Sequence, residues 1–285
     1  EQRHITQPAF SRRVRALENW IGAPLIDRTS YPTKLTAAGE AFRERAALIV
    51  RDVFDARASL LGQRPIPADT LSFALPHALS LNFYPKWLTK IEHACFQGAP
   101  LQTKLVALNV HDAVMALVEG HCDLLMCYHH AEQPIQLDPK RYAMILLGQE
   151  GLKPYSRAQR DGSPVHQLPG KASAPVPYLA YSPNAFIGRM VEIIFETARR
   201  PHFLRRRYET DMADALKAIA VEGHGIAWLP ESTVTRELRS RQLALAGGAI
   251  WCGNMEVRLY RERTNSKPLL NQLWTFLERN AAFKK

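Results

Sequence analysis

Phe42, Ala46, Ile49, Val53, Ala56 and Leu60 follow one another at spacings of four, three, four, three and four. That alternation is the seam of a coiled coil, in which each apolar knob enters a hole on a facing helix. Arg43, Glu44, Arg51, Asp52 and Arg57 lie outside the seam, so the other faces are charged. An ordinary amphipathic helix on a globular body would also bury one stripe. The unbroken alternation favours a partner helix instead, and with it a homodimer. Thr36 is suited to cap this helix, and Gly62 to end it. The segment Gln63-Arg-Pro-Ile-Pro-Ala-Asp69 then predicts a stiff hinge, with two prolines and no periodicity. The chain thus divides into a head, a long helix and a large body.

The head is basic. Arg3, Arg12, Arg13 and Arg15 fall in one short stretch without an acidic residue among them. Thr6 can cap a helix whose first turn takes Pro8, and Phe10, Val14 and Leu17 form an apolar stripe, of which Phe10 and Val14 are expected to pack inward. Gly22 and Pro24 end that helix. Leu25-Ile-Asp-Arg28, a turn through Ser30-Tyr-Pro32 and Thr33-Lys-Leu35 read as a short extended pair.

The body alternates apolar runs with helical patterns. Strands are predicted at 71–75, 101–108, 122–128, 142–147 and 178–181, and helices at 83–96, 110–119, 187–199 and 212–221. Such alternation implies βαβ units on a parallel sheet. The pattern repeats after Arg141, which predicts two α/β halves with a cleft between them. The second half is expected to be an insertion, with the chain returning to the first near Val257–Tyr260.

The 285 residues carry a net charge of +10, with 46% hydrophobic and 22% charged residues, ordinary for a folded chain whose partner is an anion. No run approaches the ~18 apolar residues of a membrane helix, and Glu1-Gln2-Arg3-His4 opens no signal peptide. A cytoplasmic protein without membrane partner is expected. Cys95, Cys122, Cys127 and Cys252 form no CxxC pair and are expected to be reduced. Cys122 and Cys127 are read as sharing one strand on opposite faces.

Four motifs together resemble the LysR-type transcription regulators. Thr6-Gln-Pro-Ala-Phe-Ser-Arg-Arg-Val-Arg-Ala-Leu-Glu-Asn-Trp-Ile-Gly-Ala-Pro-Leu-Ile-Asp-Arg28 is similar to the family's helix-turn-helix, and Leu35-Thr-Ala-Ala-Gly39 to the start of its linker helix. Glu119-Gly-His-Cys-Asp-Leu-Leu125 and Glu222-Gly-His-Gly-Ile-Ala-Trp-Leu-Pro230 resemble its effector-domain motifs, in the same order and spacing. The resemblance implies a winged helix-turn-helix at 1–35, a linker and dimerisation helix at 36–62, a hinge at 63–70 and an effector domain at 71–285. That domain would be two-lobed and periplasmic-binding-protein-like, with lobe I at 71–146 and 257–285 and lobe II at 147–256. Two features depart from the family. Its usual two helices before the recognition helix are expected to be missing here, and Tyr31-Pro32 stands where the wing often has a basic residue. Tyr181-Ser-Pro-Asn-Ala-Phe-Ile-Gly-Arg189 and Gly225-Ile-Ala-Trp-Leu-Pro-Glu231 resemble the hypochlorite-responsive branch.

The resemblance implies a recognition helix laid in the major groove of double-stranded DNA. Gln7 is suited to adenine and Arg12 to guanine. Arg3, Thr6, Pro8, Ser11, Arg15 and Arg28 complete the expected DNA-binding set, through phosphates and the helix N-terminus. Effectors are expected where strands end in the cleft: His77 and Ser80, Asn109, His129 beside His130, and Ser182 with Asn184. Each could equally cap a turn. The helix starting near Asn184 would favour an anion. Adjacent His129 and His130 diverge along an extended chain, so no metal site and no cofactor is expected. Met212 is the redox-sensing candidate, since oxidation makes a methionine polar; Ile187 stands where a second sensor methionine was expected. Arg205-Arg-Arg207 reads as a solvated or subunit-contact run.

The expected function is a DNA-binding transcription regulator responding to a small effector or oxidant, as a homodimer or homotetramer. A periplasmic-type small-molecule binding protein shares the two-lobed body but not the head. No GxSxG, P-loop, dinucleotide fingerprint or HExxH supports an enzyme.

Overall fold

A computed structural model describes residues 7–29, 33–43, 45, 46, 49, 53, 67 and 69–280. The chain forms two compact units, Glu1–Pro65 and Ile66–Lys285. In the first, α1 (Gln7–Ile21) is followed by an antiparallel pair, β1 (Ile26–Asp27) and β2 (Lys34–Leu35). Helical residues 37–43, with 45, 46, 49 and 53, belong to α2. The rest of the expected linker helix and nearly all of the hinge lie outside the described residues, as do Arg3, Thr6 and the wing turn at Tyr31-Pro32.

One expectation for the head fails. Phe10 is 58% exposed and Leu17 is also exposed; of the stripe only Val14 is half-buried. The head buries Glu18 and Leu25 instead, because the chain folds back on the C-terminal part of α1.

In the second unit, β3 (Leu71–Pro76) leads into α3 (His77–Asn82) and α4 (Tyr84–Cys95). Then come β4 (Thr103–Leu108), α5 (Val110–Val118), β5 (Leu124–His129) and β6 (Tyr142–Arg157). Next are β7 (Val176–Tyr181), α6 (Phe186–Ala198), β8 (Leu204–Thr210), α7 (Ala213–Val221) and β9 (Ala227–Pro230). The chain closes with α8 (Glu231–Arg239), β10 (Leu243–Leu245), β11 (Gly253–Glu262) and α9 (Pro268–Arg279).

The two lobes are α/β, but the sheet is mixed rather than parallel. β4, β3 and β5 run parallel, as their crossover helices require. β11 then pairs antiparallel with β5 on one side and β6 on the other. β6 does not stop at Leu147 as the apolar run suggested. It continues to Arg157, and its far half pairs with β9 and β10. β11 matches it from Tyr142↔Glu262 to Leu152↔Gly253, so these two strands run through both lobes. β7 and β8 form a separate parallel pair.

The sheet has two apolar sides. Leu124, Met126 and Tyr128 of β5 join the large core with Phe73, Val257 and Leu259. Leu125 and Cys127 face a smaller core under α5 with Ala74, Ala113 and Leu117. Cys122 precedes β5 rather than lying on it; all four cysteines are free thiols. The strand starts late because Asp123 is held by β3: its carboxylate accepts the amide and hydroxyl of Ser72 at 2.9 and 2.8 Å.

Lys267, at the N-cap of α9, reaches Asp123 at 3.0 Å and the Thr70 carbonyl. Burial alone would raise the Asp123 carboxyl. The Ser72 donors and Lys267 outweigh it and hold the group below the usual carboxylate range. A depressed folded pKa contributes stability above the unfolded value, and that contribution is lost as pH falls through the folded one. Asp123→Ala should destabilise the body by roughly 3–5 kcal/mol, since it leaves the half-buried Lys267 without its counter-charge and the buried Ser72 amide without its acceptor. Urea unfolding at neutral pH should show that loss, and the gap between the two proteins should close on acidification.

Candidate functional site

The head offers a cationic helix face. Pro8 lies in the first turn of α1, where a missing N–H costs nothing. Arg12, Arg13 and Arg15 are exposed and Ser11 is half-buried. Arg12 also donates to the Pro8 carbonyl at 3.4 Å. The helix carries one carboxylate, Glu18, and it is turned inward at 8% exposure. Glu18 accepts the Leu25 and Ile26 amides at 2.8 and 3.1 Å and pairs with Arg28 at 2.6 Å. Arg28 first, then the Leu25 amide, holds the Glu18 carboxyl low. The exposed side of α1 is therefore positive, with nothing acidic on it to repel phosphate.

The wing is fixed to α2 by Thr36. Its amide donates to the Leu25 carbonyl at 3.0 Å and its hydroxyl to the Pro24 carbonyl at 2.6 Å. The same hydroxyl caps α2 by accepting the Gly39 amide at 3.0 Å. A Cβ on Gly39 would lie 2.1 Å from the Leu25 carbonyl oxygen, so only glycine lets the helix approach this closely.

The second candidate site lies where the two lobes meet. Asn82, at the end of α3, donates toward Asp214 of α7 at 3.4 Å and Thr233 of α8 at 3.4 Å. Lys217 pairs with Asp214 at 3.2 Å and Glu237 at 3.6 Å. Tyr128 stacks on Phe186, the first residue of α6, with centroids 6.1 Å apart. Gln133, its amide oriented to suit its neighbours, donates to the Phe186 carbonyl at 3.1 Å and accepts from Arg189. Glu150 of β6 accepts the Ser232 amide at 2.9 Å.

The sequence-chosen residues are placed unevenly around this seam. His77 opens α3 and Ser80 lies within it; the Ser80 hydroxyl donates to the His77 carbonyl at 2.7 Å. Asn109 caps α5, accepting the Asp112 amide at 2.8 Å while donating to the Asp112 carboxylate at 2.7 Å. Its amide is engaged in the turn. His129 ends β5, one residue out of phase with Tyr128, on the side of Cys127. Burial first, and then Arg258, lowers its pKa. His130 turns away and accepts the Glu132 amide through Nδ1 at 3.2 Å. Ser182 is half-buried, with its amide on the Thr210 carbonyl at 3.1 Å, and Asn184 is exposed. α6 starts at Phe186 with Ala185 at its N-cap, so Asn184 does not cap it. Met212 is the N-cap of α7 and 41% exposed. Arg205, Arg206 and Arg207 are exposed on β8. The residues that touch across the seam, Asn82, Tyr128, Gln133, Asp214 and Thr233, escaped the sequence reading, as did Glu150 beside them. The signal for Tyr128 was a polar tip in an apolar run, in phase with Met126.

Comparison with known proteins bears on both sites. Residues 66–282 match the family model described as LysR substrate binding domain. Residues 1–40 match that of the bacterial regulatory helix-turn-helix protein, lysR family. The chain belongs to the LysR family. It is therefore a DNA-binding transcription regulator with an effector-binding domain, and the binding-protein alternative is not favoured. This LysR-family chain is 29% identical over 273 residues to the HTH-type transcriptional regulator YjiE of Escherichia coli K12, covering 95% of this chain and 85% of that protein. It is similar in structure to DarR of Vibrio fischeri in complex with DNA, at 30% identity and TM-score 0.64 over 97% and 90% of the two chains. Full-length HypT of Salmonella typhimurium, described as a hypochlorite-specific LysR-type regulator, matches at 27% identity and TM-score 0.63 over the same shares.

Glu18→Ala in this LysR-family head should leave the Leu25 and Ile26 amides without their acceptor and loosen the turn after α1. Amide hydrogen exchange at those two residues should quicken by about tenfold or more, with exchange in β3 and β5 unchanged.

Proposed function

We propose that the regulator reads double-stranded DNA through α1 and changes its action when the interlobe seam is rearranged by a small effector or an oxidant. The carrying observation is the exposed cationic face of α1, whose single carboxylate is turned inward onto Arg28. On this reading Gln7 and Arg12 meet base edges, and Ser11, Arg15 and the helix N-terminus with Thr6 and Pro8 meet phosphates. Arg3 and Arg28 flank the groove. The protein acts in the cytoplasm as a homodimer through the seam at residues 42–60, and as a tetramer where effector domains also pair.

A specific observation favours an oxidant as one trigger. Met212 is exposed at the start of α7, two residues before Asp214, which meets Asn82 across the seam. Oxidation there would place a polar sulfoxide on the helix that joins the lobes. The similarity to a regulator described as hypochlorite-specific supports this branch.

Selection of duplexes from a random pool should enrich one operator. Against it Arg12→Ala should lose about 1–3 kcal/mol and relax preference at one position, whereas Arg15→Ala should weaken all sequences alike and reduce the salt slope by about one. Enrichment of no sequence would overturn the reading. Dilute hypochlorite followed by peptide mass spectrometry should find Met212 oxidised ahead of buried Met126, Met190 and Met255, with altered operator affinity restored by a sulfoxide reductase. Scattered oxidation with unchanged binding would remove the oxidant branch and leave a ligand-driven regulator.

A further inference from the structure

Glu150 is a buried carboxylate with no counter-charge among the described residues. It sits on β6 between the near half, which pairs with β11 alone, and the far half, which also pairs with β9, and it is 5% exposed. One oxygen accepts the Ser232 amide at 2.9 Å, which caps α8, whose own N-cap residue is Pro230. The Ser232 hydroxyl faces the same carboxylate. Among the described residues no cation lies within ion-pair distance of it. The nearby lysines are committed elsewhere: Lys153 to Glu231, and Lys217 to Asp214 and Glu237. Capping does not require the charge, since a glutamine oxygen accepts an amide equally well. Burying an uncompensated carboxylate is costly, and such groups are normally paired.

A second, independent feature adjoins it. The Tyr128 side chain is 0% exposed, and among the described residues its hydroxyl has no hydrogen-bond partner. Buried polar atoms without partners are rare in native folds and ask for an explanation. Strand register puts the two residues on one face, with β11 between their strands: Tyr128 lies opposite Val257, Val257 opposite Gly148, and Met255 opposite Glu150. Tyr128, Val257, Met255 and Glu150 therefore share one sheet face, and the charges of Glu150 and Asp214 both reach the tyrosine hydroxyl.

This acceptor set has a definite taste. A carboxylate and a hydroxyl beside the Tyr128–Phe186 pair suit N–H donors on a carbon skeleton, because ammonium groups bind both carboxylates and aromatic faces. A divalent ion asks for more ligands, and no group of three or more His, Cys, Asp or Glu residues converges among the described residues. An anion would meet Glu150, Asp214 and Glu237 in the same seam, where Lys217 is already paired with two of these carboxylates and Arg189 is engaged by Gln133. We propose that the seam binds a small organic ammonium, which donates to the Glu150 carboxylate and the Tyr128 hydroxyl and rests on the Tyr128–Phe186 pair. The proposal deepens the reading that the lobes enclose an effector, and rests on it.

The test uses the full chain and three probes of equal length: butylammonium chloride, sodium butyrate and butanol, with magnesium chloride as an ionic control. Thermal unfolding of the wild type should rise in a saturable way with butylammonium alone. Glu150→Gln keeps the cap and removes the charge. It should melt at a higher temperature than the wild type without ligand, and its half-saturating butylammonium concentration should be at least about tenfold higher, as for one lost charge-assisted hydrogen bond. Tyr128→Phe should fold and weaken the response in the same direction. An equal response in Glu150→Gln, a butyrate or magnesium response matching butylammonium, or no saturable shift at all would overturn the proposal. Operator binding measured on the same preparations separates the two levels. Binding without an ammonium response sinks only the ligand class, whereas loss of any effect of lobe rearrangement on DNA binding sinks the reading beneath it.

Discussion

The antiparallel ladder between β6 and β11 is the contact on which the body depends. These two strands belong to both lobes, so their pairing is at once the spine of the first lobe and the foundation of the second. β5 packs on one flank of β11, and β9 and β10 on the far half of β6. Any relative movement of the lobes must be absorbed by twisting or bending this pair. Its register shift between Val257 and Arg258 is a natural place for that deformation, because a bulge increases local twist. Around it the lobes touch mainly through side chains: Asn82 with Asp214, Tyr128 with Phe186, and Gln133 with α6. Such contacts are individually small, so a shift of one lobe against the other would break few of them at modest cost.

Charge placement separates the structural carboxylates from the exceptional one. Glu18 and Asp123 are buried, but each is held by backbone amides and a cation, Arg28 or Lys267. Both groups are correspondingly kept easy to ionise. Glu150 lies on the other side of that division, since burial pushes its carboxyl up and only hydrogen bonds from Ser232 and the Glu231 amide, with no cation among the described residues, oppose it. A fold that provides two complete carboxylate sites and leaves a third incomplete directs attention to the third.

Much of the architecture was legible because periodicity is local. The helix read over 83–96 is α4 at Tyr84–Cys95, and that read over 187–199 is α6 at Phe186–Ala198. What failed was decided by distant partners. Gly148-Gln-Glu-Gly151 looks like the end of a strand, yet β6 runs through it because β11, β9 and β10 supply the hydrogen bonds. The sheet was read as parallel because strand direction leaves no local trace. In the site, His129 was chosen for its chemistry, but strand alternation sends it to the α5 side and Tyr128 toward the seam. Asn109 has the right chemistry for a ligand and is occupied in a helix cap. Glu150 was invisible because a lone glutamate between glycines has no pattern; its importance comes from what surrounds it.

Gly39 has a mechanical consequence. Its missing side chain lets the backbone of α2 rest against the Leu25 carbonyl, while Thr36 clamps the same turn to Pro24. With no compressible side chain in that joint, the start of α2 and the wing behave as one stiff lever. A small change in the helix direction swings β1 and β2 by the same angle, with little lost to slack at the joint.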